Sequence, residues 1–144
     1  MKYYIKLECE NGYDPTITIN ETKSEYDFIT DLEYKLNSLD ASSVERGTAR
    51  AEFKINGHIT PDNYNELTMI SDWSFRKKDH YMILTIACID ADRKTGEPSI
   101  CRTYKFDCIF CVQYSEKYNE NEKTFELIMA QSPLGVQKEV VTNF

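Results

Sequence analysis

Apolar and polar residues alternate one for one along most of this chain, and that period of two restricts it to half-buried β-strands. In residues 3 to 10, Tyr3, Ile5, Leu7 and Cys9 take one side, and Tyr4, Lys6, Glu8 and Glu10 the other. Asn11-Gly12 then supplies a turn, and residues 15 to 20 give a short partner carrying Ile17 and Ile19. Residues 28 to 38 set Phe28, Thr30, Leu32, Tyr34 and Leu36 against Asp31, Glu33, Lys35 and Asn37. Residues 49 to 55 set Ala49, Ala51, Phe53 and Ile55 against Arg50, Glu52 and Lys54. Strands with one wet, charged face belong to antiparallel sheets that cover a core on the other side.

The rhythm breaks in three informative places. From Thr60 it changes to a helix: Thr60 can cap, Pro61 suits the first turn, and Asp62 complements the dipole. Tyr64, Leu67, Ile70 and Trp73, with Met69 nearby, give that helix an apolar side, and it should end near Phe75. Residues 81 to 89, YMILTIACI, are apolar on both sides, as a strand covered on both faces requires. A loop from Asp90 to Pro98 leads to a long strand over 102 to 115. The polar turn of residues 118 to 122 follows, then a return strand over 123 to 130. The tail from 132 to 144 is weakly patterned. These readings predict a mainly β fold: a small antiparallel barrel or sandwich of about seven strands with one α-helix packed on it. At 144 residues, with no repeat or linker, a single domain over 1–144 is expected.

The pair Cys108-Ile109-Phe110-Cys111 invites a zinc or thiol-redox reading. Strand periodicity argues against it. In a regular strand Tyr104, Phe106, Cys108, Phe110, Val112 and Tyr114 share one face. Lys105, Asp107, Ile109, Cys111 and Gln113 share the other. Positions three apart then point to opposite sides and cannot clasp one ion or bond to each other. A zinc site also wants a second ligand pair, and a redox pair wants a helix N-terminus; neither is present. Five cysteines, an odd number, fit reduced thiols.

Other candidate chemistry falls away in the same manner. DADRKTGE, residues 90 to 97, places Asp90 and Asp92 as in a calcium loop, but Lys94 and Cys101 stand where further ligands belong. It reads as a hairpin loop turning at Gly96. His58, in the turn before the helix, and His80 show no spacing toward a nucleophile. Asn20-Glu21-Thr22 matches a glycosylation acceptor only in a secretory context, and no cleavable leader or spanning segment is seen. A net charge of −7 disfavours nucleic acid held by its phosphates and anionic membrane surfaces. No cofactor, metal site or catalytic set is expected.

The segment Asp40-Ala41-Ser42-Ser43-Val44-Glu45-Arg46-Gly47 is longer than a tight hairpin needs. On its own it reads as a mobile hairpin tip, with Gly47 free to re-enter the strand. In its context it supports a resemblance. The chain orders an N-terminal hairpin, this loop ending in Arg-Gly before an alternating strand, one helix, a lysine-rich turn, an apolar strand, "YKFDCIFCVQYSEKYN" and "KTFELIMAQSPLG". That order resembles the tube proteins of contractile injection machines, closest to the hemolysin-coregulated protein of type VI secretion in the divergent form of Bacteroidetes. The likeness is best from residue 32 to 131. It implies a structural subunit without chemistry of its own, six of which form a ring. Rings stack into a tube, working with sheath, spike and effector proteins after cytoplasmic assembly and export without a signal peptide. Asp40 to Gly47 would be the ring-stacking arm. Asp31, Glu33, Lys35, Arg50, Glu52 and Lys54 would line the channel, though an ordinary solvated sheet face has the same pattern. A phage or phage-like tail tube protein is a neighbouring reading. A small ligand-binding barrel is a distant one, because Tyr104, Phe106, Phe110 and Phe53 are expected to fill the interior.

Overall fold

The structure is a computed structural model and describes residues 2–10, 16–19, 28–36, 51–75, 81–91, 94–132 and 137–142. The strands are β1 (Lys2–Cys9), β2 (Ile17–Ile19), β3 (Ile29–Leu36), β4 (Ala51–His58), β5 (Met82–Ala91), β6 (Pro98–Tyr118), β7 (Lys123–Gln131) and β8 (Gln137–Thr142). Among the described residues one helix, α1 (Tyr64–Ser74), follows a single 3-10 turn at Pro61–Asn63. All pairings are antiparallel, in the order β2-β1-β5-β6-β7-β4-β3, with β8 on β6. The expected mainly β architecture with one packed helix is therefore what forms. The tail contributes an eighth strand that its weak pattern did not announce: β8 lies against β6, pairing Thr142 with Arg102 and Val140 with Tyr104.

The 21-residue strand β6 organises the sheet. Its first half pairs with β5 on one side and β8 on the other; its second half pairs with β7. The register slips where these halves meet: Leu84 faces Phe106, but Met82 faces Ile109. The extra residue is absorbed around Cys108, whose φ of 53° lies in the left-handed region. A second slip, beside Val112, takes Met129 opposite Cys111 and Ile128 opposite Gln113. Each slip reverses the side to which later residues point. The core-facing series is therefore Tyr104, Phe106, Ile109, Cys111 and Tyr114.

This corrects the regular-strand expectation for residues 102 to 115. Phe110 does not fill the interior: it lies across from Ala130 on the outward side and meets the Tyr81 ring at 6.4 Å. Cys111 points into the core and Cys108 occupies the corner. The two cysteines are therefore kept apart by the slip around Cys108 and not by the strict alternation expected from the sequence. A smaller slip at Thr30 has the same effect in β3, where Ile29 is buried and Thr30 is exposed.

The core collects the inward residues of every strand from β1 to β7, including Ile5, Leu7, Phe53, Ile55, Leu84, Ile109, Phe125, Leu127 and Met129. Each fully buried side chain of this kind contributes about 1.5–3 kcal/mol. α1 adds Leu67, Ile70 and Trp73. Tyr64, expected on that same side, is 45% exposed. Steps of three residues drift by about 60° each, so Tyr64 falls on the side opposite Trp73. The helix entry is capped as expected. Thr60 Oγ1 accepts from the Asp62 N–H at 3.2 Å, and the Thr60 N–H donates to Asn63 Oδ1 at 2.9 Å. Buried Asn63 also donates to the His58 carbonyl at 2.8 Å, tying α1 to the end of β4. His58 belongs to that strand end and not to the preceding turn.

Gly57 of β4 leaves room for the Phe28 backbone and the Phe125 ring of β7 to come close. A Cβ there would lie 2.2 Å from the Phe28 carbonyl oxygen and 2.6 Å from the Phe125 ring. The backbone oxygen cannot retreat, because it accepts the His58 N–H at 2.8 Å. Gly57→Ala should lower stability by about 2–3 kcal/mol, read as a fall in urea midpoint at unchanged m-value. An unchanged midpoint would refute this packing.

Candidate assembly surface

The outward side of β3, β4, β7 and the second half of β6 forms one continuous face, whose rows follow from the register. Lys35 sits across from Glu52, then Ala130, then Phe110. Glu33 sits across from Lys54, then Ile128, then Gln113. Asp31 sits across from Asn56, then Glu126, then Ser115. Asp31, Glu33, Lys35, Glu52 and Lys54 are all exposed, so the structure brings these five sequence-singled residues together. Arg50 and the whole segment Asp40 to Gly47 lie outside the described residues.

Charge on this face is locally matched. Acid and base stand directly opposite in two cross-strand pairs, and Lys54 Nζ lies 3.7 Å from Glu126 Oε2. Exposed pairs of this type contribute roughly 0.2–1 kcal/mol and weaken with salt, so their main effect is to set register and keep the surface hydrated. The face is not uniformly charged, however. Val112 is 55% exposed and, with half-buried Ile128, floors a shallow groove walled by Glu33, Lys35, Glu52 and Lys54. Sequence reasoning missed this apolar line because the slip around Cys108 turns Phe110 and Val112 outward. The only sequence signal for them was two apolar residues on what regular alternation made the buried side.

At the far end of β6, one carboxylate accepts from two phenols. Tyr114 donates to Glu116 Oε1 at 2.7 Å and Tyr118 to Glu116 Oε2 at 2.6 Å. Burial, then the Glu116 hydrogen bond, pushes the Tyr114 phenol far above its ordinary value; at exposed Tyr118 the hydrogen bond is the leading cause. The expected polar turn beyond is closed by Asn119, whose Oδ1 accepts the N–H groups of Asn121 at 2.9 Å and Glu122 at 2.7 Å.

The opposite seam, between β3 and the β1-β5-β6 sheet, is not filled. A cavity of about 180 Å³ remains there, walled by Tyr3, Leu32, Tyr34, Cys88, Arg102 and Tyr104. The Arg102 guanidinium lies 4.7 Å from the Tyr104 ring centre, a cation–π distance. Burial, followed by the Tyr104 hydroxyl, raises the Tyr34 phenol.

At the β6 corner the ligand-type atoms of Glu10, Asp107 and Cys108 lie within 4.8 Å of one another. Glu10 Oε1 accepts the Cys108 N–H at 3.1 Å, so the carboxylate serves the bend. Cys111 stands apart from this group, and burial pushes its thiol up to about 11.

A scan of protein-family models and a search of curated proteins both find no match to this sequence. Solved structures do match. A mutant form of the Hcp1 protein from the E. coli EAEC 042 pathovar superposes with a TM-score of 0.62 at 8% identity, covering 99% of this chain and 98% of that one. The secreted protein Hcp3 from Pseudomonas aeruginosa gives 0.58 at 8% identity, covering 97% and 96%. A chain of the anti-feeding prophage baseplate gives 0.53 at 11% identity, covering 99% and 92%. The chain has the Hcp fold. The likeness spans nearly the whole of both chains in each Hcp match. At such low identity the residues at the corner and on the charged face are this chain's own.

Cys111 gives a chemical check on β6. With its thiol at about 11, roughly one molecule in a thousand carries the thiolate at pH 8. Cys111→Ser should leave the thiols that react rapidly with an aromatic disulfide reagent unchanged in native protein, and remove one after denaturation. Loss of a rapidly reacting native thiol would place Cys111 on the outside.

Proposed function

We propose that this chain is a structural subunit of the inner tube of a contractile injection system of the type VI kind. It acts by assembling into six-membered rings that stack around an open channel. The observation that carries this reading is the end-to-end match to Hcp structures, with coverage of 97% or more of this chain and 96% or more of theirs. A second observation bears on the kind of machine. The prophage chain comes from a baseplate whose structure was six-fold symmetrised, which favours assembly with parts of a phage-like apparatus.

On this reading Asp31, Glu33, Lys35, Arg50, Glu52 and Lys54 line the channel, and Asp40 to Gly47 form the arm that reaches the next ring. Matched exposed charges would suit a bore that must pass cargo without holding it, since each pair satisfies its partner at little net energy. The interior of the subunit is occupied by Phe53, Phe125, Leu127 and Met129, which disfavours a hollow ligand-binding barrel. Sheath, spike and effector proteins are the partners this reading implies, with assembly in the cytoplasm and export through the apparatus itself. Work in this role requires no cofactor and no catalytic residue.

Negative-stain electron microscopy of purified protein should show six-membered rings with a central hole. Removing residues 41–46 should leave single rings and abolish stacks. A strict monomer at high concentration, for the intact chain, would overturn the reading; stacks that survive the deletion would overturn the role given to the arm.

A further inference from the structure

The seam cavity between β3 and the β1-β5-β6 sheet differs in kind from the grooves on the outward face. Its volume is about 180 Å³, and an apolar cavity of about 150 Å³ takes a benzene ring. Ile86 and Tyr104 in its wall are buried, and Leu32 and Tyr3 are half-buried. Tyr34 and Tyr104, with ring centres 5.6 Å apart and planes tilted by 60°, offer edges and faces for aromatic packing. Each is held by a core phenylalanine: Phe53 lies 6.4 Å from Tyr34, and Phe106 lies 5.9 Å from Tyr104. The aromatic wall is therefore set before any ligand arrives, which lowers the cost of binding.

One charge is built into this wall. Among the described residues Arg102 is the only charged side chain lining the cavity. Asp31 and Glu33 lie on the outward side of β3, away from it. Among the described residues the Arg102 guanidinium pairs with no carboxylate, and its contact is the Tyr104 ring at 4.7 Å. Lying over a ring leaves the guanidinium N–H donors at its edge available, in a fork that fits a carboxylate.

We infer that this cavity binds a small aromatic carboxylate, with the ring against Tyr3, Leu32 and Ile86 and the carboxylate on Arg102. Aromatic walls alone would equally suit an organic ammonium, but a fixed positive charge among them repels one. A neutral aromatic ligand would gain nothing from the guanidinium. The site is complete in one copy, so it does not depend on the tube-subunit reading. It lies at the edge of the core and leaves the filled interior as described.

Benzoate, benzyl alcohol and benzylamine present one ring with an anionic, a neutral and a cationic head. Each should be titrated into isotope-labelled protein and followed by backbone amide resonances. Benzoate should shift Tyr3, Leu32, Cys88 and Arg102, and should bind about tenfold or more tighter than the other two. Benzoate should also slow alkylation of Cys88, which lines the cavity, with Cys88→Ser identifying that thiol. Arg102→Leu, at an exposed position, should nearly keep the wild-type melting temperature and lose the preference for the acid. Arg102→Gln, which keeps a polar side chain there, should lose it in the same way. No shifts at millimolar benzoate, shifts confined to other surfaces, equal binding of acid and alcohol, or a preference that survives both Arg102 variants would each overturn the site.

Discussion

The structure depends on one strand doing two jobs. β6 must pair with β5 and β8 over its first half and with β7 over its second, and a straight strand cannot serve both sides of a closed core. The chain resolves this at Cys108. A non-glycine residue in the left-handed region costs roughly 1–2 kcal/mol. Three hydrogen bonds hold it there. Cys108 N–H donates to Glu10, Ser132 N–H donates to the Cys108 carbonyl at 2.9 Å, and buried Gln131 donates to the Asp107 carbonyl at 3.0 Å. At about 1 kcal/mol net each, they offset the strain. They also recruit three separate segments, the ends of β1 and β7 and the bend itself, so the corner closes only when the sheet has come together.

From that corner the distribution of surfaces follows. Reversing the pointing direction after Cys108 sends Ile109 and Cys111 inward and Phe110 outward, and the slip at Val112 returns Tyr114 to the core. The outward face then acquires an apolar line, Val112 and Ile128, between rows of matched charge. Between β3 and the β1-β5-β6 sheet a tyrosine-lined seam remains. One is a shallow groove floored by Val112 and Ile128, the other a seam walled largely by tyrosines.

Much of this was legible in the sequence. Alternation located β1, β3, β4 and β7 to within a few residues, and the Thr60-Pro61-Asp62 signal located α1, because each depends only on neighbours along the chain. The five charges of β3 and β4 were placed on one face for the same reason: nothing between Asp31 and Lys35, or between Glu52 and Lys54, disturbs the period. What was not legible depends on residues far apart. The slip at Cys108 exists because Glu10 and Gln131 reach it, and no local pattern in residues 102 to 115 encodes that. β8 is a strand because β6 offers it an edge. The apolar line at Val112 follows from the slip and was hidden with it.

The register around the corner can be read directly in solution by cross-strand nuclear Overhauser contacts between backbone protons. Facing pairs should be Leu84 with Phe106 and Met82 with Ile109. A regular strand would instead continue the first pairing and set Met82 against Cys108; that pattern, with Phe110 contacting the core residues Phe53 or Leu127, would contradict the account.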